Sequence, residues 1–259
     1  MDNEWVFRVR RWTLRAWSLL TIGIFLGSCW AYVVLGWGGY WGWDAVENAS
    51  LLPWLTATPV LHSLILQQRR GMLRISNLLL VVATFVMCMA AAFITRSGLI
   101  QSQHAFAPSK TGWFFVGISV AAIMLMGAIL VWRRKLLRSS PPLTRVVSLE
   151  GAFIVGNALL SIMAATVLVG TLFPLISSAF ASQPIALDKH FYNSVVVPMA
   201  LCLTALMAVG PLLSSITPAG LPRRRLILGA VGAIHGLVLS LVATKPWVIV
   251  SAAELKRDL

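Results

Sequence analysis

The sequence predicts an all-α, polytopic transmembrane bundle, and three observations carry that expectation. Only 11% of the 259 residues are charged, where soluble domains average about 25%. Hydrophobic residues make up 58% of the chain, and the mean hydropathy is +0.84. Several apolar runs reach about 20 residues, the length that crosses a bilayer as a helix. The runs place about seven spans, near 16–36, 49–66, 77–95, 112–132, 150–174, 194–216 and 226–250. The seventh is the weakest, because Lys245, Pro246 and Trp247 interrupt it. The first run follows a basic segment, but no small-residue cleavage site closes it, so it reads as a span and not as a cleaved signal peptide. No repeat or low-complexity stretch divides the chain. Residues 1–259 read as one transmembrane domain that contains a tryptophan-rich outer loop at 37–54.

Charge sets the orientation. A net charge of +13 would suit a nucleic-acid surface if the charges were spread along one face. Instead they fall in four short clusters between apolar runs: Arg8, Arg10, Arg11 and Arg15; Arg69, Arg70 and Arg74; Arg133, Arg134, Lys135, Arg138 and Arg145; and Arg223, Arg224 and Arg225. If the spans alternate, these fifteen lie on one side, and the opposite loops hold only Arg96, Lys110 and Lys189. Basic loops stay cytoplasmic, so the N-terminus is cytoplasmic and no nucleic-acid partner is expected. The loops at about 37–48, 96–111 and 175–193 then face outward. Cys29, Cys88 and Cys202 each sit within an apolar run and form no CxxC pair, so they read as small buried hydrophobes.

The first outer loop reads WGGYWGWDAVENASLLPWL, from Trp37 to Leu55. Trp37, Tyr40, Trp41, Trp43 and Trp54 cluster there, interleaved with Gly38, Gly39 and Gly42. Indoles and phenols also gather at membrane interfaces as anchors. Three Trp and one Tyr within seven residues, beside glycines that permit non-helical backbone, point further, to a platform for a large planar ligand such as a porphyrin. Asp44 followed three residues later by Glu47 matches a capping box opening the next helix. Capping and shaping of the site are compatible roles.

This stretch closely resembles the tryptophan-rich WWD motif of haem-handling membrane proteins. Its extended form, WGWDAVENASLLPWL, is that of the CcmF-type cytochrome c haem lyase family and its nitrite-reductase counterpart NrfE, with Tyr40, Gly42 and Ala45 where the family often has aromatic, aromatic and Pro. The resemblance runs on through RRWTLRAWSLLTIGIFLGSCWAY, LHSLILQQRRG, FITRSGLIQSQHAFA, VLVGTLFPLI and FYNSVVVPMA, to about Pro211.

Four histidines remain. His62 lies in the second span, three residues after Pro59. An imidazole in lipid must find a partner or line a site, and interhelical hydrogen bonding and metal ligation both meet that need. The resemblance implies that His62 ligates a buried b-type haem, haem b. His104, in the second outer loop, would be solvated on residue type alone. The resemblance implies that it is one of two outer histidines that flank the motif and ligate the haem being delivered. Arg96 is suited to a haem propionate by its fork of donors, and equally to Asp44 or a helix C-terminus. His190 reads as solvated or structural. His235 lies too early to match the family's second membrane histidine.

The resemblance therefore implies cytochrome c maturation. A CcmE-type haem chaperone brings haem to the outer face of the bacterial inner membrane. A CcmH-type partner helps present an apocytochrome c, and thioether bonds form to its CxxCH segment. The family's first outer histidine would lie before residue 1 and its second membrane histidine after residue 259. The chain is accordingly expected to be a middle portion, either a split-gene product or a truncated chain, working beside a second polypeptide that supplies the flanking ligands. Two other classes compete. A haem or small-molecule transporter would need a polar pathway through the spans, where charges are almost absent. A noncatalytic scaffold subunit would keep the tryptophan loop and lack the ligands.

Overall fold

A computed structural model describes residues 3–35, 39–100, 102, 109–137, 143, 147–181 and 183–213. They form α1 (Asn3–Val34), α2 (Ala45–Arg70), α3 (Arg74–Arg96), α4 (Thr111–Trp132), the single turn α5 (Arg134–Leu137), α6 (Leu149–Ser177) and α7 (Lys189–Leu213). Among the described residues there is no strand, and six helices are long and apolar enough to cross a membrane. The expected spans from 16–36 to 194–216 each correspond to one of them. The expected seventh span, 226–250, lies outside the described residues.

Most helix ends differ from the hydropathy limits by a few residues, but α1 begins about four turns early. The segment before the apolar run is basic yet has helix-forming residues. Its side chains pair along the helix surface: Glu4 with Arg8, and the guanidinium groups of Arg11 and Arg15 over Phe7 and Trp12 at 5.2 and 4.8 Å. A hydropathy window sees only the apolar part.

α2 is the central helix. It packs against α1, α3 and α6, while α3 also meets α4 and α6 meets α7. Leu52, Leu55, Ile94, Leu160 and Val167 form the core where α2, α3 and α6 converge, and Val6, Val60 and Leu64 form a smaller one between α1 and α2. Buried polar residues line one stripe of α2: Asn48, Thr56, Ser63 and Gln67. Several of them find partners on neighbouring helices or on their own backbone. Asn48 donates to Thr171 Oγ1 at 3.0 Å, Asn77 donates to Gln67, and the Thr56 hydroxyl returns to Leu52 O at 3.2 Å. Such hydrogen bonds hold helices together where lipid removes the hydrophobic drive for association. The outside is apolar instead: Leu19, Phe25 and Leu26 on α1, and Phe114, Met124, Leu125 and Val131 on α4, are exposed. A polar seam inside and an apolar surface outside is the arrangement lipid favours and water does not.

The two ends of the bundle differ chemically. At one end Arg10 donates to Gln68 Oε1 at 2.7 Å, and Arg70 pairs with Glu150 at 3.1 Å. This end gathers the first two basic clusters. α2 stops here at Gly71, whose left-handed backbone (φ 69°) suits glycine and whose N–H bonds Gln67 O. At the other end lie the tryptophan loop, the start of α7 and Ser102, which donates to Asp44. The cysteines correct the expectation of burial. Cys29 is half-buried, whereas Cys88 and Cys202 lie on exposed faces of α3 and α7. Those helices turn most of their apolar surface outward, so an apolar run here does not mean an internal one.

Candidate functional site

The tryptophan loop is built from its helix upward. Asp44 takes an extended conformation and its side chain accepts from Val46 N at 3.1 Å. Glu47 reaches back to accept from Asp44 N at 3.2 Å and Gly42 N at 2.9 Å. The expected capping box is present, and it also ties down the backbone between Gly42 and Asp44. The left-handed backbone of the loop falls on a tryptophan and not on the glycines beside it. Gly39 and Gly42 stay out of the left-handed region, and Trp43 occupies it with φ 58°. For a bulky residue that conformation costs on the order of 1–3 kcal/mol and persists only when its surroundings enforce it.

Those surroundings come from three helices. The Asn48 amide donates both to Trp43 O at 3.1 Å and to Thr171 Oγ1 on α6. The Trp43 indole donates to Asn193 Oδ1 at 2.8 Å. Its ring stacks on Tyr192, with centroids 5.0 Å apart and planes 9° from parallel. Trp41 meets Trp43 edge-on at 6.0 Å, and its buried Nε1 has no hydrogen-bond partner among the described residues. Trp41 also borders a cavity of about 260 Å³ between α1 and α2, with Ser28, Trp30, Glu47 and Ser50. Tyr40 is exposed and stacks on Tyr32 of α1 at 4.5 Å.

Trp54 does not join this group. Nine residues into α2 from Ala45, it lies about 13 Å further along the axis. There it stacks on Trp17 at 5.6 Å and donates to Thr21 Oγ1 at 2.9 Å. Arg96 is exposed in the last turn of α3, where a cation suits the helix dipole. His190 is exposed at the start of α7. Trp37, His104 and His235 lie outside the described residues.

His62 sits on α2 about 25 Å along the axis from the loop. It is half-buried, and its Nδ1 donates to Asn157 Oδ1 at 3.3 Å. Among the described residues no group of three His, Cys, Asp or Glu side chains gathers to hold a metal. A lone imidazole that uses Nδ1 for a hydrogen bond keeps Nε2 for a metal. That donor set fits a haem, whose porphyrin brings four ligands of its own. Tyr192, Asn193, Asn48, Thr171 and Asn157 received no role from sequence reasoning. Their signal was weak but present, because Thr171 and the Tyr192–Asn193 pair fall within VLVGTLFPLI and FYNSVVVPMA, two stretches that carry the family resemblance.

Fold and site together define a multi-pass helical membrane protein whose loop is braced at Trp41 and Trp43, and the family model described as "Cytochrome C assembly protein" matches residues 2–101. That span holds α1 to α3 with the loop, His62 and Arg96. The Cytochrome c-type biogenesis protein CycK of Rhizobium meliloti is 41% identical over 83% of this chain and 32% of its own length. The Cytochrome c-type biogenesis protein CcmF of Escherichia coli is 34% identical over 97% of this chain and 38% of its own. A solved structure titled "Cytochrome c Heme Lyase CcmF" superposes with a TM-score of 0.64 at 33% identity, covering 90% of this chain and 35% of that one. The chain is similar to a portion of the CcmF/NrfE-type cytochrome c biogenesis proteins and spans about a third of the length of the relatives it matches.

Proposed function

We propose that the chain acts in cytochrome c maturation as the haem-holding portion of a CcmF-type haem lyase. In this reading it lies in the bacterial inner membrane with the tryptophan end facing the periplasm. The observation that carries the proposal is the tryptophan loop itself. Trp41 and Trp43 are fixed by a capping box and by contacts from α6 and α7, in a chain 41% identical to a cytochrome c-type biogenesis protein. Loose interfacial anchors need no such bracing.

The roles divide by depth. Trp37, Tyr40, Trp41 and Trp43 offer aromatic surface to the haem being delivered, Asp44 shapes the loop, and Arg96 would receive a propionate. Trp54 supports the loop through the α1–α2 interface, and His104 would ligate the delivered haem. His62 would hold a resident haem b near the basic end. Haem itself supplies the chemistry: its vinyl groups take up the two cysteine thiols of a CxxCH segment as thioethers, and its iron carries the redox state. The chain positions, desolvates and excludes wrong orientations. A CcmE-type chaperone, a CcmH-type partner and apocytochrome c are the partners this reading requires, with further helices of the lyase beside them.

The test separates the two depths. In the lyase extracted gently from its own membranes, His62→Ala should remove the b-type absorption band. Trp41→Ala with Trp43→Ala should spare that band and lower the haem captured from the chaperone, with membrane insertion intact. Unchanged haem content and unchanged cytochrome yield in both variants would defeat the proposal.

A further inference from the structure

α6 presents two residues to His62 one helical turn apart. Phe153 packs against the imidazole with centroids 5.1 Å apart and rings tilted by 51°. Asn157 accepts from Nδ1 at 3.3 Å. Asn157 is itself buried, 8% exposed, and a buried amide in a membrane helix requires a partner. Residues four apart on a helix share one face, so a single stripe of α6 fixes both the plane of the imidazole and the nitrogen that carries its proton.

That second point has a chemical consequence. A neutral imidazole has one N–H and one lone pair. With the proton held on Nδ1 by an acceptor, the lone pair is on Nε2 and points away from Asn157. Metal-bound histidines characteristically donate their other N–H to such an acceptor, which fixes the tautomer and raises the basicity of the ligand. An apolar residue at 157 would leave the tautomer free. We propose that Asn157, braced by Phe153, is the positioning residue that sets the tautomer and orientation of His62 for haem iron. The inference rests on the reading of His62 as a haem ligand given above.

The site also tolerates the variants that test it. Beside His62, Asn157 borders a cavity of about 290 Å³ between α2, α3 and α6, which it shares with Ser63, Ser76 and Ser161. A side chain of similar size therefore has room to settle. The experiment uses the lyase extracted in mild detergent from its own membranes, and compares Asn157→Leu, Asn157→Asp and His62→Ala. Haem retained per protein and the reduction potential of the b-type band are measured. His62→Ala should lose the band. Asn157→Leu should lower haem retention by about tenfold or more, the usual cost of removing such an acceptor, and raise the potential of the haem that remains. Asn157→Asp keeps an acceptor and adds negative charge, so it should restore retention and bring the potential below that of the unaltered protein. A purely structural role would lower protein yield without moving the potential in opposite directions. Loss of the band in His62→Ala with retention and potential unchanged in Asn157→Leu would overturn the inference alone. If Asn157→Leu does not reach the membrane, an unshifted potential in Asn157→Asp would overturn it. A band that survives His62→Ala would overturn both the ligand reading and the inference.

Discussion

Trp43 shows how much a single residue demands of its surroundings. Its left-handed backbone is unfavourable, and the restraints on it come from distant positions: the Asn48 bridge to Thr171, the Asn193 acceptor and the Tyr192 ring. Gly170 makes room for that ring. A methyl group added there would meet Tyr192 ring atoms at 2.9 to 3.1 Å, and a stacked ring has little freedom to yield. Gly170→Ala should therefore push Tyr192 off Trp43, with a stability loss of about 1–3 kcal/mol and a red shift in tryptophan emission as the indole is released to water. An unchanged spectrum with unchanged thermal stability would show that α6 and α7 do not meet this closely. The local part of the arrangement was legible in the sequence. Asp44 and Glu47 lie three residues apart, so their capping box is written in one helical turn. The partners of Trp43 were not legible, because Asn193 is 150 positions away and one sequence holds no record of which span lies beside which. Trp54 is near the loop in sequence, but the rise of the intervening helix carries it to Trp17 and Thr21 of α1.

At the scale of elements, the contact between α1 and α2 is organised by a matched pair of Trp-x-x-x-Thr sequences. The Trp17 indole donates to Thr58 Oγ1 and the Trp54 indole to Thr21 Oγ1, both at 2.9 Å. Each threonine hydroxyl then donates to the carbonyl of the tryptophan four residues before it, Thr21 to Trp17 O at 2.7 Å and Thr58 to Trp54 O at 2.8 Å. The two indoles stack between these bonds. Every polar group in the device is satisfied, which matters most where water is absent. Replacing the hydroxyls while keeping the shape, as Thr21→Val and Thr58→Val, should cost about 0.5–2 kcal/mol each, the range of interhelical hydrogen bonds in membranes. The double variant should fall short of or exceed the sum, because the stacked rings couple the two bonds. Reversible unfolding in detergent would measure this, and two variants as stable as the parent would show that stacking alone joins the helices. The spacing is visible in the sequence at Trp17–Thr21 and Trp54–Thr58. Its meaning is not, since a threonine hydroxyl within a helix ordinarily returns to its own backbone, and only the antiparallel placement of the helices brings each one to the other's indole.

At the scale of the whole molecule, hydropathy predicted the helices because lipid imposes one requirement on each of them: an apolar stretch about 20 residues long with its backbone bonded internally. Which faces meet was beyond it, because a helix apolar all round, as α4 nearly is, carries no mark of its inner side. The asymmetry of the ends was legible, because charge distribution records it directly. The first two basic clusters converge at one end through Arg10–Gln68 and Arg70–Glu150, and the tryptophan loop stands at the other. By the positive-inside rule the basic end is expected to face the cytoplasm, and under the proposed function delivered haem would then meet the opposite end. Two exposed positions report on this, Tyr40 in the loop and Arg69 at the far end of α2. In a background with Cys29, Cys88 and Cys202 replaced by alanine, Tyr40→Cys should react with a membrane-impermeant maleimide added to spheroplasts. Arg69→Cys should react only after the membrane is opened. The contrast has a physical basis. α2 carries the two sites to opposite ends of a 26-residue helix, about 39 Å long at 1.5 Å per residue, which exceeds the hydrocarbon core of about 30 Å. Labelling of both sites from outside would mean that α2 does not cross the membrane. Labelling of Arg69→Cys alone would invert the topology and place the tryptophan end in the cytoplasm, away from any periplasmic apocytochrome.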